Sequence, residues 1–128
     1  MSDYTPTNAP AQVTELMLAG MTGKSKLPVV KMFLLGILAG AFIAFGAEAS
    51  SLAAHNVTQV GIQRLIMGCV FPVGLIMVVL LGTELFTGNC MMIAAVADKR
   101  VKFAMLLRNW VVVYLGNLVG AALIVLLV

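Results

Sequence analysis

Three long apolar runs separated by short charged stretches organise this chain. From Met32 to Ala47 sixteen residues carry no charge, and the neutral Leu27, Pro28, Val29 and Val30 ahead of Lys31 extend that run to about twenty. Nineteen uncharged residues run from Leu65 to Thr83, followed by a single Glu84 and thirteen more from Leu85 to Ala97. A final twenty run from Asn109 to Val128. About twenty apolar residues cross a bilayer once as a helix, so the pattern predicts three transmembrane segments, over about 28–49, 65–97 and 107–128. Residues 28–128 form the expected membrane domain, and 1–27 a separate N-terminal segment.

That segment opens with a polar, proline-punctuated lead from Tyr4 to Pro10. Val13, Leu16, Met17 and Met21 then recur near helical spacing, with Thr14 as a candidate cap and Gly23 beyond, which predicts a short amphipathic helix at the membrane surface. A secretory signal is not indicated, because Asp3 stands at the start and the first lysine is Lys24.

The middle run carries the most information. Its 33 residues from Leu65 to Ala97 would make about 50 Å of continuous helix against roughly 30 Å of hydrocarbon. The expected interruption is Gly82-Thr83-Glu84-Leu85-Phe86-Thr87-Gly88-Asn89, with Pro72 as a weaker break. Irregular backbone at membrane depth is tolerated only where protein covers it or where it lines an aqueous cavity, so the break marks a pathway or a site. A half-helix starting near Asn89 would present the amides of Gly88, Asn89 and Cys90 beside the Thr87 hydroxyl as an anion-binding corner, with Gly88 free to take left-handed geometry.

Composition agrees with the bilayer as solvent. The chain has 128 residues, 62% hydrophobic and 10% charged, with a mean hydropathy of +1.08. These values exclude a large soluble catalytic domain, and the aliphatic content excludes a disordered tail. Cys69 and Cys90 lie 21 apart within apolar sequence, which predicts neither a disulfide scaffold nor a metal site. No cofactor is expected, and one loop histidine, His55, with isolated cysteines does not supply catalytic machinery, so the chain is not read as an enzyme. Lys24, Lys26 and Lys31 before the first run, with Lys99, Arg100, Lys102 and Arg108 before the third, predict a cytoplasmic N-terminus in a multi-pass protein of the inner (plasma) membrane. The same basic residues suit lipid headgroups, and without interleaved aromatics they give no reason to expect nucleic acid.

Glu84 either fixes the loop by pairing with amides or a threonine, or binds ions or protons. Asn109 and Asn117 are expected to hydrogen-bond between helices, and Gly36-x-x-x-Gly40 and Gly116-x-x-x-Gly120 to permit close helix approach. Trp110 and Tyr114 read as interface anchors or packing residues.

Val79 to Asn89 resembles the signature of the formate/nitrite transporter family. Asn109 to Ala121 is similar to that family's third span, and Gly40 to Gly46 to its first. The resemblance implies an all-α membrane protein in which three transmembrane helices form one inverted repeat of an aquaporin-like six-helix channel, the second helix broken by a loop. It implies a homo-pentamer, each subunit carrying its own pore for a small monovalent anion, formate first and nitrite or hydrosulfide next. It also places Leu85, Phe86 and Thr87 on the loop, Thr87 as a pore-facing hydroxyl, and Phe71 and Leu75 as apolar positions that narrow the pathway; Gly82, Glu84, Gly88 and Asn89 support the loop. The family's pore histidine and lysine come from its second half, which has no counterpart here. The chain is therefore expected to be the first half of a longer or split protein, completed by a second three-span half in the same or a separate chain. The competing reading is a non-transporting membrane subunit whose polar break docks a partner.

Overall fold

The computed structural model describes residues 8–128; of the polar lead from Tyr4 to Pro10, residues 4–7 lie outside the described residues. Among those described, the regular elements are all helical: α1 (Pro10–Ser25), α2 (Val29–Ala54), α3 (Val60–Val70), α4 (Pro72–Leu80), α5 (Phe86–Asn89), α6 (Met92–Ala97) and α7 (Phe103–Leu127). Three spans are long and apolar enough to cross a membrane: Val29–Ala54, Val60–Leu80 and Phe103–Leu127. The first two extend about five residues further into the loop around His55 than the charge pattern indicates, because Ala47 to Ala54 and Val60 to Arg64 retain helical backbone beyond the apolar stretch.

Helices α2 and α7 run parallel and interlock along their glycine ridges. A β-carbon on Gly40 would lie 2.1 Å from the Asn117 carbonyl oxygen, and one on Gly120 would lie 1.9 Å from that of Ile37. Gly36 and Gly116 face each other just before these points, so glycine sets the approach of the two backbones. A second close crossing, which the spacing did not suggest, joins α2 to α3 and α4 in antiparallel sense. There a β-carbon on Gly74 would lie 2.6 Å from the Phe42 oxygen, and one on Gly46 would lie 2.8 Å from the Phe71 oxygen.

Pro72 occupies the first position of α4, where its missing N–H costs little, and Phe71 before it keeps helical dihedrals (φ −51°, ψ −40°). The chain therefore continues through Pro72, and the real interruption comes after Leu80. Gly82 has φ +60° and sits at the residue after the cap: its N–H donates to the Val79 carbonyl, and that of Thr83 to the Val78 carbonyl. This paired arrangement is a Schellman motif, whose left-handed residue favours glycine. Lys99 (φ +59°) closes α6 in the same way, its N–H donating to Val96 and that of Arg100 to Ala95.

Helix α1 lies against α6 and the start of α7. Leu18 and Met21 pack there with Met92, Ala95, Val101 and Leu106. Of the expected face, Met21 is buried and Met17 packs against the same cluster, whereas Val13 and Leu16 are exposed and Leu18 faces inward in their place. Thr14 is also no cap. The helix begins at Pro10, Gln12 Oε1 accepts the Ala9 N–H, and the Thr14 hydroxyl donates back to the Pro10 carbonyl. Gly23 lies within the last turn rather than beyond the helix.

Candidate functional site: the helix break and its clefts

After the Schellman turn the chain must cross from α4 to α5 without helical hydrogen bonds, and other elements supply its partners. The Glu84 N–H donates to the Leu35 carbonyl of α2 at 3.3 Å. Asn117 of α7 does more: its Nδ2 donates to the Gly36 carbonyl at 2.8 Å and to the Glu84 carbonyl at 2.9 Å, while its Oδ1 accepts the Phe86 N–H at 2.9 Å. The break is thus clamped between the two parallel helices by one side chain. Irregular backbone covered in this way satisfies the requirement that hydrocarbon imposes.

The second half-helix begins at Phe86, three residues earlier than Asn89. The Asn89 and Cys90 amides, expected to be free donors, instead donate to the Leu85 and Phe86 carbonyls. Gly88 lies inside α5, and the left-handed glycine of the break is Gly82. The reason lies in the order of events along the chain: α4 needs its terminating glycine immediately after Leu81, and once Leu85 is extended (φ −102°, ψ 127°) the helix restarts at once.

Glu84 points its carboxylate into the protein and is only 2% exposed. Lys24 Nζ of α1 stands 3.1 Å from Glu84 Oε1, and Asn89 Nδ2 donates to Oε2 at 2.7 Å. The partners are therefore an ammonium and an amide, not the backbone amides or threonine expected. Thr83, the nearest such hydroxyl, bonds the Val78 carbonyl instead. Asn89 is the hub: Nδ2 also donates to Asn109 Oδ1 at 2.9 Å, Oδ1 accepts from Lys24 at 3.3 Å, and the backbone oxygen accepts the Trp110 indole N–H at 3.1 Å. Asn109 Nδ2 in turn donates to the Met32 sulfur at 3.4 Å. Among the described residues every buried side-chain nitrogen and oxygen is partnered. Lys24 was missed as a member of this cluster because it is 60 residues from Glu84 in sequence.

Two clefts flank the break. One, of about 280 Å³, brings together Leu85, Phe86 and Thr87 with Gly40, Ile43 and Asn117. Its lining is mostly apolar, and Thr87 is exposed. The other, of about 300 Å³, is lined by Lys24, Leu75, Val78, Thr83 and Gly88, and again by Leu85. Leu85 is therefore the wall shared by the two. Leu75 reaches the second cleft, whereas Phe71 lines neither and is 44% exposed. Phe86 is held edge-on between Trp110 and Tyr114, with ring centroids 6.0 Å and 5.5 Å away, so these two aromatic residues of α7 serve packing.

The matching family model, described as formate/nitrite transporter, covers residues 11–128. The chain belongs to this family. It is 41% identical over 121 residues to a probable formate transporter of Methanothermobacter thermautotrophicus, an overlap covering 91% of the chain and 44% of that protein. It is 40% identical over 111 residues to the formate channel FocA of Escherichia coli, covering 85% and 39% respectively. A formate-nitrite transporter of Entamoeba histolytica is 34% identical over 116 residues, covering 88% and 33%. The chain spans less than half the length of each of these relatives. They are named as transporters and channels, not as enzymes, and the three long apolar helices make this formate/nitrite transporter homologue a membrane protein.

Outside the spans, Arg100 grips Glu15 with both terminal nitrogens, at 2.6 and 2.8 Å, and bonds Asp98 through Nε. The Arg100 hydrogen bonds hold the Glu15 carboxyl below its usual value against the opposing effect of desolvation, and Glu15 raises the guanidinium further.

Proposed function

We propose that this chain forms one three-span repeat of a transmembrane pathway for a small monovalent anion, formate first and nitrite or hydrosulfide next. The observation that carries the reading is the convergence of Leu85, Phe86 and Thr87 in one cleft beside Asn117, in a chain of this family. Formate is the preferred substrate because two of the relatives cited are named for it alone.

In this reading an anion meets a predominantly apolar constriction formed by Leu85 and Phe86, with Leu75 on one approach and Phe71 nearer the opposite end of the span. Such a surface repels bulk water and opposes a bare charge, while a neutral or transiently neutralised acid passes at lower cost. The Thr87 hydroxyl replaces part of the hydration lost there. Glu84, Asn89, Gly82 and Gly88 act as support: the carboxylate and amide tie the break to α1 and α7, and Gly82 ends α4 so that Leu85 to Thr87 can enter the cleft. The full pathway has an aquaporin-like arrangement in which a second three-span half, in the same or a separate chain, supplies the facing wall. The assembly is a homo-pentamer in the inner (plasma) membrane with a cytoplasmic N-terminal segment.

The test is formate and nitrite flux in liposomes containing the complete transporter. Thr87→Val removes the hydroxyl at nearly constant volume and is expected to lower flux several-fold. Unchanged flux would remove Thr87 from the pathway, and no flux in the unmodified protein would favour the docking subunit.

A further inference from the structure

We infer that Arg108 is a positioning residue for the helix break, acting through Lys24. Its Nη2 donates to the carbonyls of Ser25 and Leu27, at 2.7 and 3.1 Å, where α1 ends and the link to α2 begins. Carbonyls at the end of a helix lack partners within it, and Pro28, next in the chain, has no N–H to offer. A guanidinium at the negative end of the α1 dipole meets that need. The anchor point is rigid: Ser25 is fully buried, and its hydroxyl donates to the Thr22 carbonyl at 2.7 Å.

Lys24 stands one residue before that anchor, with its Nζ 3.1 Å from Glu84 Oε1 and 3.3 Å from Asn89 Oδ1. Asn89 Nδ2 donates in turn to Asn109 Oδ1 at 2.9 Å, and Asn109 is the residue after Arg108. The contacts therefore close a ring, from α7 through the end of α1 to the break and back to α7. Trp110 extends the hold, its indole N–H donating to the Asn89 carbonyl. Three consecutive residues of α7 thus grip both the end of α1 and the residue that closes α5.

Lys24 by itself is weakly held. Its side chain is 32% exposed and has many rotamers to lose, so solvent competes with Glu84 for the ammonium. A shift of the α1 end by about 1 Å would carry both Nζ contacts beyond hydrogen-bond reach. The other attachments of α1 lie earlier in the helix: Glu15 on Arg100, and Leu18 and Met21 in the apolar cluster. They keep α1 docked, whereas Arg108 fixes its last turn. Within the proposed pathway, on which this consequence rests, Arg108 thereby keeps Glu84 paired and the adjoining Leu85 to Thr87 in place.

Pulsed acetylation of the complete protein in detergent by an N-hydroxysuccinimide ester, read by mass spectrometry, reports how free the Lys24 amine is, with Lys102 as the reference. Arg108→Gln is expected to raise Lys24 acetylation several-fold and to leave Lys102 unchanged. Arg108→Lys keeps the charge without the planar fork and should raise it less. Arg100→Gln loosens only the first half of α1 and should not raise it. In Glu84→Gln the charge pairing is already lost, so adding Arg108→Gln should change little. The proposal is overturned if Arg108→Gln leaves Lys24 protected, if Arg100→Gln frees it equally, or if the Arg108→Gln increase persists in full beside Glu84→Gln. No anion enters this measurement, so its outcome stands apart from whether the cleft conducts.

Discussion

Asn117 joins the two sides of the helix break, donating to the carbonyl of Glu84 while accepting the N–H of Phe86. A third bond, to the Gly36 carbonyl, anchors the amide on α2, so both Nδ2 hydrogens and the oxygen are engaged. Asn117→Leu keeps the side-chain volume but strands the Phe86 amide and two carbonyls. An unsatisfied buried group costs about 1–3 kcal/mol, so a loss of about 2–3 kcal/mol is expected in a denaturant titration in mixed micelles. Proteolysis within Leu81 to Leu85 should rise in parallel.

The glycine ridges make a sharper steric prediction. Gly120→Ala places a methyl group 1.9 Å from the Ile37 oxygen, which requires α2 and α7 to separate. A destabilisation of about 1–3 kcal/mol or more is expected from this overpacking. Gly61→Ala, in α3 with nothing within 4 Å of the new methyl, should be neutral or slightly stabilising by helix propensity. Equal effects of the two substitutions on thermal stability in detergent would contradict the close packing of α2 on α7.

Lys24 and Glu84 should behave as a coupled pair. With Glu84 only 2% exposed, Lys24→Met leaves a buried carboxylate without its cation and is expected to cost about 3–5 kcal/mol. Glu84→Gln in the same chain removes that charge while preserving an acceptor for Asn89, and should restore much of the loss. A double-mutant cycle with no coupling would mean that the two groups act independently.

The Glu15 to Arg100 contact has a defined pH window. Glu15 is held below its ordinary value of 4.5 in the folded protein, so its contribution is complete above that value and disappears as pH falls through the depressed folded pKa. Carbon-detected NMR titration of Glu15 should therefore show no transition between pH 7 and 5. Arg100→Gln should move the midpoint upward, towards 4.5. A midpoint unaffected by the substitution would show that Arg100 does not hold this carboxylate.

Much of the architecture belongs to the sequence alone, because desolvation and helical periodicity act over neighbouring residues. Three apolar runs dictate three membrane-capable helices, and the excess length of the second, with its glycines and polar residues, calls for an interruption. The spacing of Gly36, Gly40, Gly116 and Gly120 already identifies surfaces where backbones can meet. Tertiary structure decided which residues complete the break. Gly82 rather than Gly88 takes the left-handed position because α4 terminates there, a choice set by hydrogen bonds to Val78 and Val79. Lys24 reaches Glu84 only because α1 folds back against α6 and α7, and Asn117 clamps the loop only because α2 and α7 run parallel at glycine distance. Partners for a buried charge or a stranded amide come from wherever packing brings donors, and no local pattern carries that information.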